Sequence, residues 1–202
     1  TLGSQLFERA DNFLLAYFLD AKSVGYYSVA ATIYTSVLSI PQAVYGMLAG
    51  ESAAQGRERA AIIVARAARN VLWLTIIAAI LLALISPRLI PLLYGLEFVA
   101  SSPPVLILLP AAVLIGLTIN LQAYFLAIGK PAVNGAIIFL AGVINLLFSL
   151  WLIPTAGILG NAAATFFGSL ASFFLFVLWF RHSTRVPLRS LWMLRSDDFR
   201  AC

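Results

Sequence analysis

Apolar runs close to the length of a membrane crossing recur along this chain of 202 residues, separated by short polar breaks. A helix rises about 1.5 Å per residue, so about 20 apolar residues cover about 30 Å of hydrocarbon. Six candidate spans can be traced, at about 2–19, 24–48, 71–85, 105–128, 132–153 and a sixth ending near Phe180. The third is short, and its helix is expected to start earlier, inside an Arg-bearing stretch. Composition agrees: 62% of residues are hydrophobic and 10% charged, against about 45–50% and about 25% in soluble domains. Disordered chains are poor in apolar residues, which excludes that class. Lipid offers no partner to an open strand's backbone, and barrel strands alternate over about 10 residues, so helices are the expectation. The expected fold is all-α and polytopic: one six-helix bundle over 1–180 and a basic cytoplasmic tail over 181–202. No length remains for a soluble catalytic domain.

The breaks set the orientation. The stretch 51–70 carries four Arg, the Gly129-Lys130-Pro131 turn one Lys, and the tail five Arg, making ten of the 13 basic residues on one side. Lys22 and Arg88 lie on the other, and Arg9 falls within the first span. Basic residues collect in cytoplasmic loops, so both termini are expected there. Pro87, Pro91, Pro103 and Pro104 make 86–104 read as a loop, and 154–161 reads as a small-residue turn. The tail, with Trp192, Met193 and Leu194 among spaced Arg residues, reads either as an amphipathic helix on the inner leaflet or as a solvated tail. The chain begins at Thr1 without a signal-peptide pattern and reads as the C-terminal part of a longer protein.

Charge inside the first span is the sharpest functional signal. Intramembrane charges cost about 2.5–3.5 kcal/mol each on insertion scales and face a partner or a watery cavity. Glu8 pairs with Asp11 at i, i+3 and with Asn12 at i, i+4, and Arg9 lies one step round the helix, so the four form one polar sector. A guanidinium there suits phosphate oxygens. The competing reading puts them at the cytoplasmic interface near a helix end. Milder polar residues are Gln42, Thr118, Asn120, Gln122, Asn145, Ser149 and Thr165. Asn145 and Ser149, at i, i+4, share a face and either line a path or bond neighbouring helices. Gly160, Ala164, Gly168 and Ser172 form a small-residue stripe that admits close helix packing. Pro41 and Pro110 are expected to kink their helices. Tyr26–Tyr27 and Trp179–Phe180 fit interfacial belts.

Enzyme chemistry has little footing: there is no nucleophile–base pair, no metal-ligand spacing and no Gly-rich phosphate loop. One His (His182) and one Cys (Cys202) exclude a disulfide framework or a multi-ligand zinc or haem site. No cofactor, metal or nucleic-acid partner is expected.

Several short segments, in order, resemble the C-terminal half of the oligosaccharide flippases, a branch of the multidrug/oligosaccharidyl-lipid/polysaccharide exporter superfamily. They are Arg9-Ala-Asp11, Val24-Gly-Tyr-Tyr-Ser-Val-Ala30, Pro41, Glu51-Ser52, Leu89-Ile-Pro-Leu-Leu-Tyr-Gly95 with Phe98, Leu126-Ala-Ile-Gly-Lys130, Leu152-Ile-Pro154 and Gly157-Ile-Leu-Gly160-Asn-Ala-Ala-Ala-Thr165. The resemblance implies two six-helix bundles around a central cavity, this chain supplying the second and an N-terminal bundle completing the pair. It implies transport of an undecaprenyl-diphosphate-linked oligosaccharide across a bacterial plasma membrane by alternating access. Arg9 would meet the diphosphate, Asp11 would be its electrostatic neighbour or an ion- or proton-coupling site, and Glu8 is the less secure member. Alternatives are a drug/cation antiporter or peptidoglycan-precursor flippase of the same superfamily, a membrane scaffold subunit, and an enzyme acting on polyprenyl lipids.

Overall fold

The computed structural model describes Asp11, residues 13–53 and residues 56–184, and all of its regular structure is helical. A helical segment, α1 (13–18), leads through Leu19 and Asp20 into α2 (Ala21–Ala53). After it come α3 (Arg57–Tyr94), a 3-10 turn (Leu96–Ser101), α4 (Ser102–Ala127) and α5 (Pro131–Ser183). Among the described residues, three helices are long and apolar enough to cross a membrane: α3, α4 with its leading turn, and α5. They make the chain a multi-pass helical protein, without by themselves fixing the number of spans at six. In α2, Ser28, Thr32, Thr35, Ser36 and Ser39 dilute the apolar content, and α1 is described only from Asp11 onward.

The junctions follow local chemistry. The expected break at 20–23 shortens to two residues because an Asp20 carboxylate oxygen accepts the Ser23 amide at 3.1 Å, capping α2. Helix α3 starts at Arg57, inside the Arg-bearing stretch, as the sequence suggests. The loop expected at 86–104 is not a loop: α3 runs through Pro87 and Pro91 to Tyr94, and Leu96–Ser101 is a 3-10 turn. Each proline removes one backbone donor, but unwinding in an apolar setting would strand several carbonyls and amides, so the helix continues. Its end is set by Gly95, at φ 99°, whose amide donates to the Pro91 carbonyl.

At about 1.5 Å per residue, α5 would measure about 80 Å if straight, more than twice the hydrocarbon thickness. It is broken at Gly157, whose φ of 57° and ψ of −132° are not helical. The limbs on either side, 131–156 and 158–183, fold back on each other. Gly160 lies against the Leu152 backbone, and a Cβ at Gly168 would sit 2.8 Å from Asn145 Cβ. The small-residue stripe thus packs one limb of α5 against the other. Phe148 and Phe167 stack across the same seam at 4.8 Å.

Helix α4 is the central post, packed against α2, α3 and α5. Of its apolar window 61% is buried, against 17% in α3 and 22% in α5. Toward one end, Leu117, Leu121, Tyr124 and Phe125 meet Ala61, Val64, Phe176 and Phe180. Toward the other, Val105, Leu108, Leu109 and Ala112 meet Leu15, Ala30, Val37 and Ile153. Between them α2, α3 and α4 cross closely: a Cβ on Gly116 would lie 3.3 Å from Pro41 and 3.4 Å from Thr75. Leu74, Ile77, Leu84, Phe139, Leu147 and Leu178 are exposed. So large an apolar surface is the mark of a lipid-facing protein.

Candidate functional site

Tyr27 is the anchor of a polar cluster inside the bundle. It is buried, contrary to the belt position expected of the Tyr26–Tyr27 pair. Neighbours on a helix point about 100° apart, so two adjacent rings need not share one environment. Tyr26 takes the outer position, edge-on to Phe98 at 5.6 Å and under the Lys22 ammonium at 5.8 Å. The same geometry corrects the second pair: Phe180 is buried against Tyr124, ring centroids 5.1 Å apart, while Trp179 remains exposed.

The Tyr27 hydroxyl lies 3.5 Å from Thr165 Oγ1, with the Asn161 side chain beside it and Asp11 within electrostatic reach. Three segments distant in sequence meet there: α1 brings Asp11, α2 brings Tyr27, and the second limb of α5 brings Asn161 and Thr165. The first limb adds Ser149, whose buried hydroxyl donates to Asn161 Oδ1 at 3.1 Å. Thr165 donates to the Asn161 carbonyl at 3.0 Å, and Ser169 to the Thr165 carbonyl at 2.7 Å. Asn161 Nδ2 and Asn145 Oδ1 are buried and make no hydrogen bond among the described residues. A buried amide that keeps bonding capacity in reserve can take a ligand, an ion's water or a proton carrier, because leaving it unmet costs about 1–3 kcal/mol.

Of the residues singled out in the sequence, the structure brings Asp11 to this cluster, half-buried. Asn145 lies on the first limb facing Gly168, one turn before Ser149. Glu8, Arg9 and Asn12 lie outside the described residues, as do 185–202, which hold most of the basic tail. In the sequence Asn161 falls at the end of a turn and Thr165 among the milder polar residues, both inside the segment 157–165. Their i, i+4 spacing on the sixth span was the available signal. Thr118 and Asn120 bond back to their own helix, so these two serve local structure, and the Gln122 backbone carbonyl accepts from the Asn134 side chain at 3.0 Å. Among the described residues no group of three His, Cys, Asp or Glu is placed to hold a metal ion.

A second polar feature lies on the outside of α2. Ser28, Thr32, Thr35, Ser36 and Ser39 are all exposed and fall within about 100° of the helix circumference. Each hydroxyl donates to a backbone carbonyl three or four residues earlier, at 2.7–3.1 Å. With each proton spent within the helix the face is tolerated against lipid, and its remaining lone pairs suit a wet cleft or another polar helix.

Comparison with known proteins fits this architecture. No family model matches the chain. A solved structure, the outward-facing conformation of a multidrug resistance MATE family transporter of the MOP superfamily, superposes with a TM-score of 0.74. The match covers 98% of this chain and 46% of that transporter at 15% identity, so the two share a fold. An uncharacterized membrane protein of Methanocaldococcus jannaschii is 32% identical over 104 residues, which is 50% of this chain and 20% of the relative. The chain spans less than half the length of either protein. It is a multi-pass helical membrane protein with the fold of about half a MATE-type transporter.

Proposed function

We propose that this chain is the second bundle of an alternating-access transporter that moves undecaprenyl-diphosphate-linked oligosaccharide repeat units across a bacterial plasma membrane. The observation that carries the reading is the buried Tyr27–Thr165–Asn161 cluster with the Asp11 carboxylate within electrostatic reach, where three parts of the chain converge. A carboxylate in such a place has a use in a transporter, where it can hold a proton or small cation in one state and release it in another. A scaffold has little use for it.

The cargo follows from the resemblance in the sequence together with physical fit. Carrying a sugar head through hydrocarbon strands many polar groups, each costing several kcal/mol. The hydroxyl face of α2 offers them an alternative surface, Asn145 adds a buried amide oxygen in the α5 seam, and Arg9, with Glu8 and Asn12 near it in sequence, meets the diphosphate. An N-terminal six-helix bundle supplies the other wall, and both termini face the cytoplasm.

One observation favours a second reading, a drug/cation antiporter. The Asp11 carboxylate and the lone pairs of the Tyr27 hydroxyl attract a cation better than an anion. Two strains decide between them, one lacking the complete gene and one carrying Arg9→Ala. Repeat units held on the cytoplasmic face, restored by the wild type and not by Arg9→Ala, support the flippase. Normal lipid sidedness with loss of cation-driven drug efflux transfers the assignment to the antiporter.

A further inference from the structure

An apolar groove of about 460 Å³ opens on the side of the bundle between α3, α4 and the second limb of α5. Ile76, Ala83, Leu106, Pro110, Phe166 and Leu170 are among its lining residues, and its other walls are also apolar. Its volume falls in the range of small-molecule sites, about 300–1,000 Å³. Ile80 and Leu106, both half-exposed, form its lip.

The helix that forms one wall changes character at a definite height. From Arg57 to Asn70, α3 carries four Arg; from Val71 to Ile85 it carries no charge. That boundary places the first part at headgroup level and the second in hydrocarbon. Trp73 sits just below the boundary, 40% exposed, where interfacial aromatics collect. Counting about 100° and 1.5 Å per residue, Arg69 stands about 20° from Ile76 and about 10 Å above it. Arg66 stands about 80° round and about 15 Å above. Arg66 is exposed and Arg69 is buried beneath.

We infer that this groove binds one acyl chain of an anionic phospholipid, whose headgroup phosphate is held by Arg66 with Arg69 adding positive field from below. The vertical order of a phospholipid is matched part by part: phosphate to guanidinium, interfacial region to Trp73, chain to the groove. A basic pocket between transmembrane helices is a known way of selecting anionic headgroups over zwitterionic ones.

The test uses the full-length protein with Trp73 as its single tryptophan, reconstituted in vesicles. Phosphatidylglycerol or phosphatidylcholine with brominated acyl chains is titrated in, and quenching of Trp73 is read. Brominated phosphatidylglycerol should quench half-maximally at about one-fifth the mole fraction that phosphatidylcholine requires. Arg66→Gln should erase that preference, and Ala83→Phe, which fills the groove without touching charge, should weaken it independently. Equal quenching by the two lipids in the unchanged protein, or a preference that survives either substitution, overturns the inference. Displacement of brominated phosphatidylglycerol by trace undecaprenyl diphosphate also overturns it, by assigning the groove to a transported lipid.

Discussion

Ser149 and Asn161 are joined by a buried hydrogen bond of 3.1 Å across the two limbs of α5, whose turn is made between them at Gly157. Interhelical bonds of this kind average about 0.6 kcal/mol and reach about 1.7 kcal/mol in membrane proteins. Ser149→Ala should cost an amount within that range, and a double-mutant cycle with Asn161→Ala should recover most of it as coupling. Reversible unfolding in mixed micelles measures both, and zero coupling would mean that the seam is held by shape alone.

The glycines of α5 should differ sharply in tolerance. Gly157 occupies the φ and ψ of the first central residue of a type II′ turn, so Gly157→Ala is expected to cost about 1–3 kcal/mol. Gly160 faces the Leu152 backbone, which cannot step aside, so Gly160→Ala should cost at least the upper end of the overpacking range, about 3 kcal/mol. Gly116→Ala meets only side chains at 3.3–3.5 Å and gains helix propensity, so its net effect should stay under about 1 kcal/mol. Folded yield and thermal midpoint in detergent rank the three.

Tyr27→Phe removes one hydroxyl from the cluster and keeps the buried ring. Transport by the full-length protein should fall by about tenfold, the kinetic equivalent of losing one bond to a charged or strongly polar partner. The thermal midpoint should move little. If transport is unchanged, the hydroxyl is a packing partner of Thr165 and takes no part in coupling.

Asp20 gives the chain a pH signature outside the membrane. Hydrogen bonding from the Ser23 side chain and then its backbone amide holds the Asp20 carboxyl below its ordinary value of 3.8. A depressed value means that the cap stabilises α2 fully above the ordinary carboxylate range and is lost as pH falls through the lowered value. Asp20→Ala should lower the thermal midpoint at neutral pH and leave less of it to lose in acid. Asp20→Asn, an equally good cap, should keep the midpoint and remove its acid dependence. Melting curves between pH 2 and pH 7 read both slopes.

Much of the fold was legible in the sequence because the rule behind it is coarse. A bilayer asks only for length and apolarity, and the runs at 71–85, 105–128, 132–153 and the one ending near Phe180 answered it. Where a finer balance decides, the sequence misled. Pro87 and Pro91 read as loop punctuation, since the cost of a missing donor is visible in the letters. The larger cost of unwinding a helix in an apolar setting is not. Tyr26 and Tyr27 read as a pair until the helix turned them to opposite duties. The cluster at Asp11 was half legible: one intramembrane carboxylate stands out, whereas Asn161 and Thr165 gain meaning only when α2 lays Tyr27 between them and α1.

The hydroxyl face of α2 has a consequence for anything that moves along it. Ser28, Thr32, Thr35, Ser36 and Ser39 each spend their proton on a carbonyl of their own helix. What points outward is a row of lone pairs interleaved with methyl and methylene groups. Such a row accepts hydrogen bonds and offers none, so a donor-rich molecule finds many shallow, interchangeable footholds along about 16 Å of helix and no deep trap. It grips weakly everywhere, and low friction is the result.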